Sequence, residues 1–238
     1  MRKMKGSSNY LKNQVRKNFA KAILCIALFF LIFFFLSLRV LFTLSLSVLE
    51  AAGLLVSLVP LAAFYFYLRK YRIYNAGWEG EKRVAKVLSS KLSDDYLLIN
   101  DLYLHNGGGD IDHVVLGPSG IFVLETKNWS GEITCNGDEW QRAGKHSFKG
   151  SPSLQVKRNA EKIKHIIDSS QAFRSFGVYV EGIVVFTNNH ATLHLNNPTV
   201  LILKLPQLPS HITTHRSLNN FSIQQIEAIG KEILKQES

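Results

Sequence analysis

Two uncharged apolar runs near the N-terminus, residues 22–38 and 51–68, restrict this chain more than any other feature. They are seventeen and eighteen residues long, close to the roughly 20 that a helix needs to cross a bilayer. Arg2, Lys3, Lys5, Lys12, Arg16, Lys17 and Lys21 precede the first run, and Arg69, Lys70 and Arg72 follow the second. Both flanks therefore carry the positive charge that marks the cytoplasmic side of a span. Two inside flanks require an even number of crossings. The expectation is a transmembrane hairpin in residues 1–74, with its link, Arg39 to Glu50, on the far side and both termini cytoplasmic. A second apolar run so soon after the first, without a small-residue cleavage site, argues against a removable signal peptide. Glu50 borders the second run and is expected at the interface.

Charge divides at the same place. Residues 1–74 hold 11 basic and 1 acidic side chains, and residues 75–238 hold 17 and 17. The net charge of +10 thus belongs to the anchor and is a poor argument for nucleic-acid binding. Within 75–238, the stretch 142–164 is locally basic: Arg142, Lys145, Lys149, Lys157, Arg158, Lys162 and Lys164 stand against Glu161. Such a stretch either tracks phosphates or is a solvated helix face. Cys25 and Cys135 give neither a disulfide framework nor a zinc quartet, which suits a reducing compartment. The 164 residues after position 74 are enough for one domain with a sizeable core.

The chemistry of that domain is concentrated between Asp110 and Lys127. Gly117-Pro118-Ser119-Gly120 fits a turn. Symmetric pairing about it sets Leu116 opposite Ile121, Val114 opposite Val123 and Asp112 opposite Glu125. Opposed Cβ atoms lie about 5 Å apart, where two carboxylates repel by about 3 kcal/mol at an effective dielectric near 20. Val114, Leu116, Ile121 and Val123 make one face apolar, and Val115, Phe122 and Leu124 the other, so the pair reads as covered on both sides. Buried carboxylates are costly unless a cation bridges them. Lys127, two residues beyond Glu125, projects to the same face. Two alternatives remain at this level: an Asp110–Lys127 surface ion pair, and a bulge at Gly120 that moves Asp112 off the face of Glu125.

Around this hairpin, Trp78, Val84, Ala85, Leu88 and Leu92 predict a helix over 77–92, with Glu81 on its apolar stripe. A carboxylate there is paired or functional. Strands are expected near Tyr96–Leu104, Glu132–Cys135, Val178–Thr187 and Thr199–Leu203. Gly107-Gly108-Gly109 lacks the Gly-Lys-Ser/Thr of a P-loop and instead lets the backbone approach Asp110 and Asp112. Pro152 opens a helix with Val156, Ala160, Ile163 and Ile167 buried and Gln155 in its first turn. Ser222 caps a last helix carrying Ile223, Ile226, Ile229 and Ile233. Mixed strands and helices in this order predict an α/β fold around a mixed sheet. His190/His194 and His211/His215 have i, i+4 spacing but no His-Glu-x-x-His pattern, and their turn-rich surroundings disfavour zinc. A nucleophile elbow for acyl transfer is not recognisable.

Gly77-Trp78-Glu79-Gly80-Glu81, then Asp110-Ile111-Asp112-His113-Val114-Val115 and Glu125-Thr126-Lys127-Asn128, resembles the nuclease-related domain (NERD) family. That family is similar to the restriction-endonuclease-like superfamily with its PD-(D/E)xK motif, and the likeness covers residues 76 to 190. It implies a mixed central sheet flanked by helices, Glu81 as the helical acid, Asp112 and Glu125 as the metal-binding pair, Lys127 as the catalytic lysine and Gln155 as the polar residue of the next helix. Ile111 stands where the superfamily has Pro, and Ser151 where the family has Asn before Pro152. The expected activity is phosphodiester hydrolysis of nucleic acid, with DNA favoured. Mg²⁺ or Mn²⁺ would sit on Asp112, Glu125, the Thr126 carbonyl and Glu81, and no organic cofactor is expected. The rival is a membrane-tethered nucleic-acid or signalling module of the same fold without turnover; a transporter is disfavoured by two crossings almost free of polar residues.

Overall fold

The computed structural model describes residues 1–5, 9–43, 47–104, 110–144, 150–217 and 221–236. The glycine run 107–109, and Lys145 and Lys149 of the basic stretch, lie outside the described residues. In chain order the elements are β1 (Arg2–Lys5), α1 (Tyr10–Thr43), α2 (Val48–Lys91), β2 (Leu97–Tyr103), β3 (Asp110–Gly117), β4 (Gly120–Lys127), β5 (Gly131–Asn136), β6 (Glu139–Arg142), α3 (Pro152–Ser169), β7 (Val180–Phe186), β8 (Ala191–Asn196), β9 (Leu201–Lys204), α4 (Leu208–Thr214) and α5 (Ile223–Lys235). The expected second span and the expected helix over 77–92 are one 44-residue helix, α2, with Pro60 inside it. Two compact units result: Asn9–Trp78, and Met1–Ser8 together with Glu79–Ser238.

In the first unit, α1 and the start of α2 pack antiparallel. Tyr10 meets Tyr74, Phe19 meets Tyr71, and Leu36 lies against Gly53. Both helices are long and apolar enough to cross a membrane, and their apolar windows are 0% and 6% buried. A core helix of a soluble domain would bury that surface; here Leu24, Phe30, Phe34 and Leu55 are exposed.

The second unit is built on a six-stranded mixed sheet of order β1-β2-β3-β4-β7-β9. β2, β3 and β4 run antiparallel in succession, while β1 joins β2, β7 joins β4 and β9 joins β7 in parallel. A small sheet, β6-β5-β8, stands apart. Alternation along β3 and β4 sorts their side chains as the hairpin pattern predicts. Val115, Phe122 and Leu124 pack with Val84 and Leu88 of α2 and with Leu92 just beyond it, and Val114, Leu116, Ile121 and Val123 with Val156, Ile163 and Ile167 of α3 and Ile226, Ile229 and Ile233 of α5. Ser151 caps α3 through the Leu154 amide, and Ser222 and Gln225 form a capping box on α5. Ile223, the first isoleucine that α5 carries, is exposed: it opens the helix, three residues before the first buried one, Ile226.

The hairpin turn is anchored by an aromatic ring. A Cβ on Gly117 would lie 2.1 Å from Cδ1 of Tyr96, and the Tyr96 hydroxyl is 3.0 Å from Ser119 Oγ. The turn therefore needs glycine at this position for close approach rather than for backbone freedom. Gly117→Ala is expected to destabilise the fold by about 1–3 kcal/mol through overpacking, read as a lower denaturant midpoint of the detergent-solubilised chain. Buried His113 supplies a pH dependence of known sign. Its ring Nδ1 faces Asn100 Oδ1 at 2.7 Å, and burial lowers its pKa from 6.5 to about 3. The unfolded chain therefore binds the proton first, so His113 makes stability fall as pH drops from 6.5 towards 3. His113→Gln should flatten that acid limb in a melting-temperature profile.

Candidate active site

Backbone pairing between β3 and β4 follows the symmetric register, Gly117↔Gly120, Leu116↔Ile121, Val114↔Val123 and His113↔Leu124, and stops there. One step further, the Asp112 carboxylate takes over: its Oδ2 accepts the Thr126 N–H at 2.6 Å. Asp112 is thus turned onto the β4 backbone instead of pairing directly across from Glu125. In a strand the amide and carbonyl of one residue point to the same edge, so the Thr126 carbonyl is directed to the Asp112 side as well. On the other flank of β3, Asn100 pairs with His113 and Leu102 with Ile111. Asp101, at the level of Asp112, leaves the ladder with φ of 54°, in the left-handed region.

Glu125 is 2% exposed, and its Oε2 is a buried oxygen with no hydrogen-bond partner among the described residues. Its Oε1 accepts from Lys127 Nζ at 2.5 Å. Burial raises the Glu125 pKa, against the opposing pull of Lys127 and Arg158. Burial and Glu125 likewise raise Asp112 well above its ordinary value, against Lys127 and the Thr126 amide. For Lys127, burial disfavours the charge, but Glu125 and Asp112 outweigh it and hold the ammonium above its usual range. Its Nζ also lies 5.5 Å from the Trp129 ring centroid.

Helix α2 delivers the remaining acid, and a glycine makes this possible. A Cβ on Gly80 would lie 3.0 Å from Thr187 Oγ1, 3.1 Å from Asn128 Cβ and 3.4 Å from Thr126 Cγ2. The helix backbone therefore rests on the C-terminal ends of β4 and β7, and Glu81 follows directly. Burial first, then Asp112, Asp101, Glu125 and Asp110, push the Glu81 pKa up to about 10. Gln155 is half-buried near the start of α3, with its amide bonded to the Ser151 carbonyl. Arg158, one turn on, is close enough to favour ionised Glu125.

The structure thus groups Glu81, Asp112, Glu125, Thr126 and Lys127 at the strand ends, with Gln155 on the adjoining helix. It adds three residues for which the sequence assigns no role here. Asp101 gives no periodic signal, Asp110 reads as a surface charge or a neighbour of Asp112, and Arg158 is legible only as one member of the basic stretch 142–164. By contrast, His190 and His194 are not a helical pair. His194 lies on β8, where four residues span about 13 Å.

Residues 76–187, which include every one of these site positions, match the family of the nuclease-related domain. The chain carries a nuclease-related domain. It is also 38% identical over 60 residues to an uncharacterized protein of Bacillus anthracis, covering 24% of this chain and 28% of that one. It is 27% identical over 126 residues to the probable kinase PglW of Streptomyces coelicolor, covering 50% of this chain and 8% of that protein. The chain therefore spans a small part of either relative. No solved structure matches it.

The domain's acidic site has a testable electrostatic signature. Between pH 4.5 and about 10 the folded, metal-free chain keeps a proton on Glu81 that the unfolded chain releases. Stability must then fall as pH rises through that window. In a chelator-treated sample, the melting temperature should decline towards alkaline pH, and Glu81→Gln should reduce the decline.

Proposed function

We propose that this chain is a membrane-anchored, divalent-metal-dependent nuclease that hydrolyses phosphodiester bonds of DNA. The observation that carries the reading is the unpartnered, buried Oε2 of Glu125, set among Asp112, Glu81 and the amide-bonded edge of Thr126. An apolar core gives such an oxygen nothing, and leaving it unsatisfied is costly. An all-oxygen donor set of carboxylates and a carbonyl fits a hard cation, Mg²⁺ with Mn²⁺ as substitute. Asp112, Glu125, the Thr126 carbonyl and Glu81 would hold it. When bound, the ion supplies Lewis acidity and neutralises charge on the phosphoryl oxygens.

The chain's own groups account for the rest. Lys127 donates from its ammonium towards a non-bridging phosphate oxygen and the attacking water, in a water-poor setting where such a donor counts most. Its salt bridge with Glu125 keeps the ammonium aimed along the strand end. Glu81 keeps its proton only while the site is metal-free; as a ligand it would be ionised and would hold the ion or a water on it. Gln155 and Arg158, on the same face of α3, orient the substrate backbone. A separate cavity of about 640 Å³ is lined by Lys3, Arg83, Lys86 and the Lys82–Glu79 ion pair and would offer further cations to phosphates.

Anchoring follows from the two exposed apolar helices and from β1. The pairing of residues 2–5 with β2 supports a reading in which the first strand and the nuclease-related domain share one side of the membrane. The α1–α2 segment between them must cross an even number of times. Positive flanks assign that side to the cytoplasm.

Because β1 belongs to the sheet, the test uses the full-length chain in detergent or nanodiscs. It is incubated with plasmid, linear and single-stranded DNA and with RNA, in Mg²⁺, Mn²⁺ or chelator. Metal-dependent cutting is expected, reduced by about 100-fold or more in Glu125→Ala and in Lys127→Ala. Binding of DNA without cutting by the parent, unchanged in both variants, would overturn the enzyme in favour of a binding module.

A further inference from the structure

Outside the acidic cluster, a second group of side chains has metal-ligand geometry. In the parallel register of β4 and β7, Glu181 lies beside Phe122 and two residues before Ile183. Phe122 and Ile183 belong to the layer that also holds Leu208 and Ile212 of α4, so Glu181 projects to the sheet face that α4 covers. His211 lies on α4 and His215 caps its C-terminal end one turn on, tied by the bond from the His215 N–H to the His211 carbonyl, 3.0 Å. His211 Nε2 lies 3.1 Å, and His215 Nδ1 3.3 Å, from the same oxygen, Glu181 Oε2. One ligand atom from each of the three side chains falls within 4.8 Å of the others.

These spacings separate two readings. An ordinary N–H···O bond spans about 2.7–3.2 Å, which covers the His211 contact and not the 3.3 Å contact of His215. Four-coordinate zinc, with bonds of about 2.0–2.1 Å, spaces its ligands about 3.3 Å apart, and both contacts are near that value. Two imidazoles converging on one oxygen, when an ionised carboxylate offers two, also favours a shared ion over two ion pairs. The Phe122 ring stands edge-on to both imidazoles, 6.3 Å from His211 and 5.2 Å from His215 between centroids, and fixes their planes. The side chains of His211, His215 and Glu181 are 27%, 23% and 16% exposed, which leaves a solvent-facing coordination position.

We propose that Glu181, His211 and His215 bind one zinc-class divalent ion, with water in the open position, and so clip α4 to β7. Two imidazoles and one carboxylate select nitrogen-preferring ions over Mg²⁺. The site is separate from the nuclease centre. Glu125 pairs with Val184, three residues from Glu181 and about 10 Å along the strand, and the two acids serve opposite faces of the sheet. His211 and His215 also lie beyond the matched residues 76–187.

The test uses full-length protein without a polyhistidine tag, stripped with chelator and titrated with Co²⁺ in excess Mg²⁺. One equivalent is expected to bind with the intense visible bands of a four-coordinate ion, and Zn²⁺ to displace it. His215→Ala and Glu181→Gln should each weaken binding by more than about 100-fold, beyond what loss of an outer-shell partner costs; Glu125→Ala should leave the bands in place. Glu181→Gln keeps an acceptor for the imidazoles, so circular dichroism reports a retained fold in that variant. Zinc should raise the melting temperature of the parent and not of Glu181→Gln. The proposal is overturned if the parent binds no stoichiometric Co²⁺, if the two site variants bind as the parent does, or if Glu125→Ala abolishes binding instead.

Discussion

A side-chain carboxylate replaces the backbone where the β3–β4 ladder ends, and the site depends on that substitution. Asp112 Oδ2 receives the Thr126 amide, which in this buried position would otherwise lose its acceptor at a cost of about 1–3 kcal/mol. The same bond fixes the Asp112 carboxylate against the edge of β4. Glu125 and Lys127, two apart on that strand, then share one face and one salt bridge. Asp101 adds to the effect from β2: its left-handed backbone, held at a cost of about 1–3 kcal/mol, breaks the second ladder at the same level. Strand pairing on both sides of Asp112 is interrupted within one residue, and side chains rather than main chain fill the gap.

The resulting electrostatics are unfavourable without a cation. Glu81 feels Asp112, Asp101, Glu125 and Asp110, while Lys127 and Arg158 act on Glu125. A fold selected for stability alone would replace such a group with apolar side chains. Gly80 argues in the same direction: its missing side chain lets α2 seat against Thr126 and Thr187, which brings another acid into an already acidic place. Two separate features of the backbone thus concentrate negative charge, and the divalent cation proposed above would account for both.

Much of this was legible in the sequence because it rests on period-two and period-3.6 patterns. The two faces of the hairpin, the buried stripe of α3 and the position of Glu81 on an apolar helix side all follow from spacing and burial. What escaped has equally physical reasons. β1, Arg-Lys-Met-Lys, has no alternating apolar signal, because an edge strand gains its place from backbone pairing with β2. Asp101 and the end of the ladder are tertiary: nothing local in Asn100-Asp101-Leu102 announces a positive φ. The join of the second apolar run to the 77–92 helix was missed because the charged stretch Arg69 to Arg72 reads as a boundary, whereas Lys and Arg are good helix formers. Glu181 is distant in sequence from His211 and His215, so spacing alone left those histidines without a third ligand.

One sheet therefore carries two donor sets of different character, and their placement keeps them from competing. The set at Asp112 and Glu125 is all oxygen, with a lysine beside it that is salt-bridged to Glu125. The set at Glu181 is two-thirds nitrogen, with no lysine among its ligands, and lies on the opposite face, next to Phe122. Strand alternation enforces the separation, because Phe122 and Glu125 are three residues apart and so face opposite ways. Moving either acid by one residue would put both sets under the same helix layer, where their charges would act on each other at short range. The hairpin register that positions Glu125 is for this reason also what keeps the Glu181 face free for a softer ion.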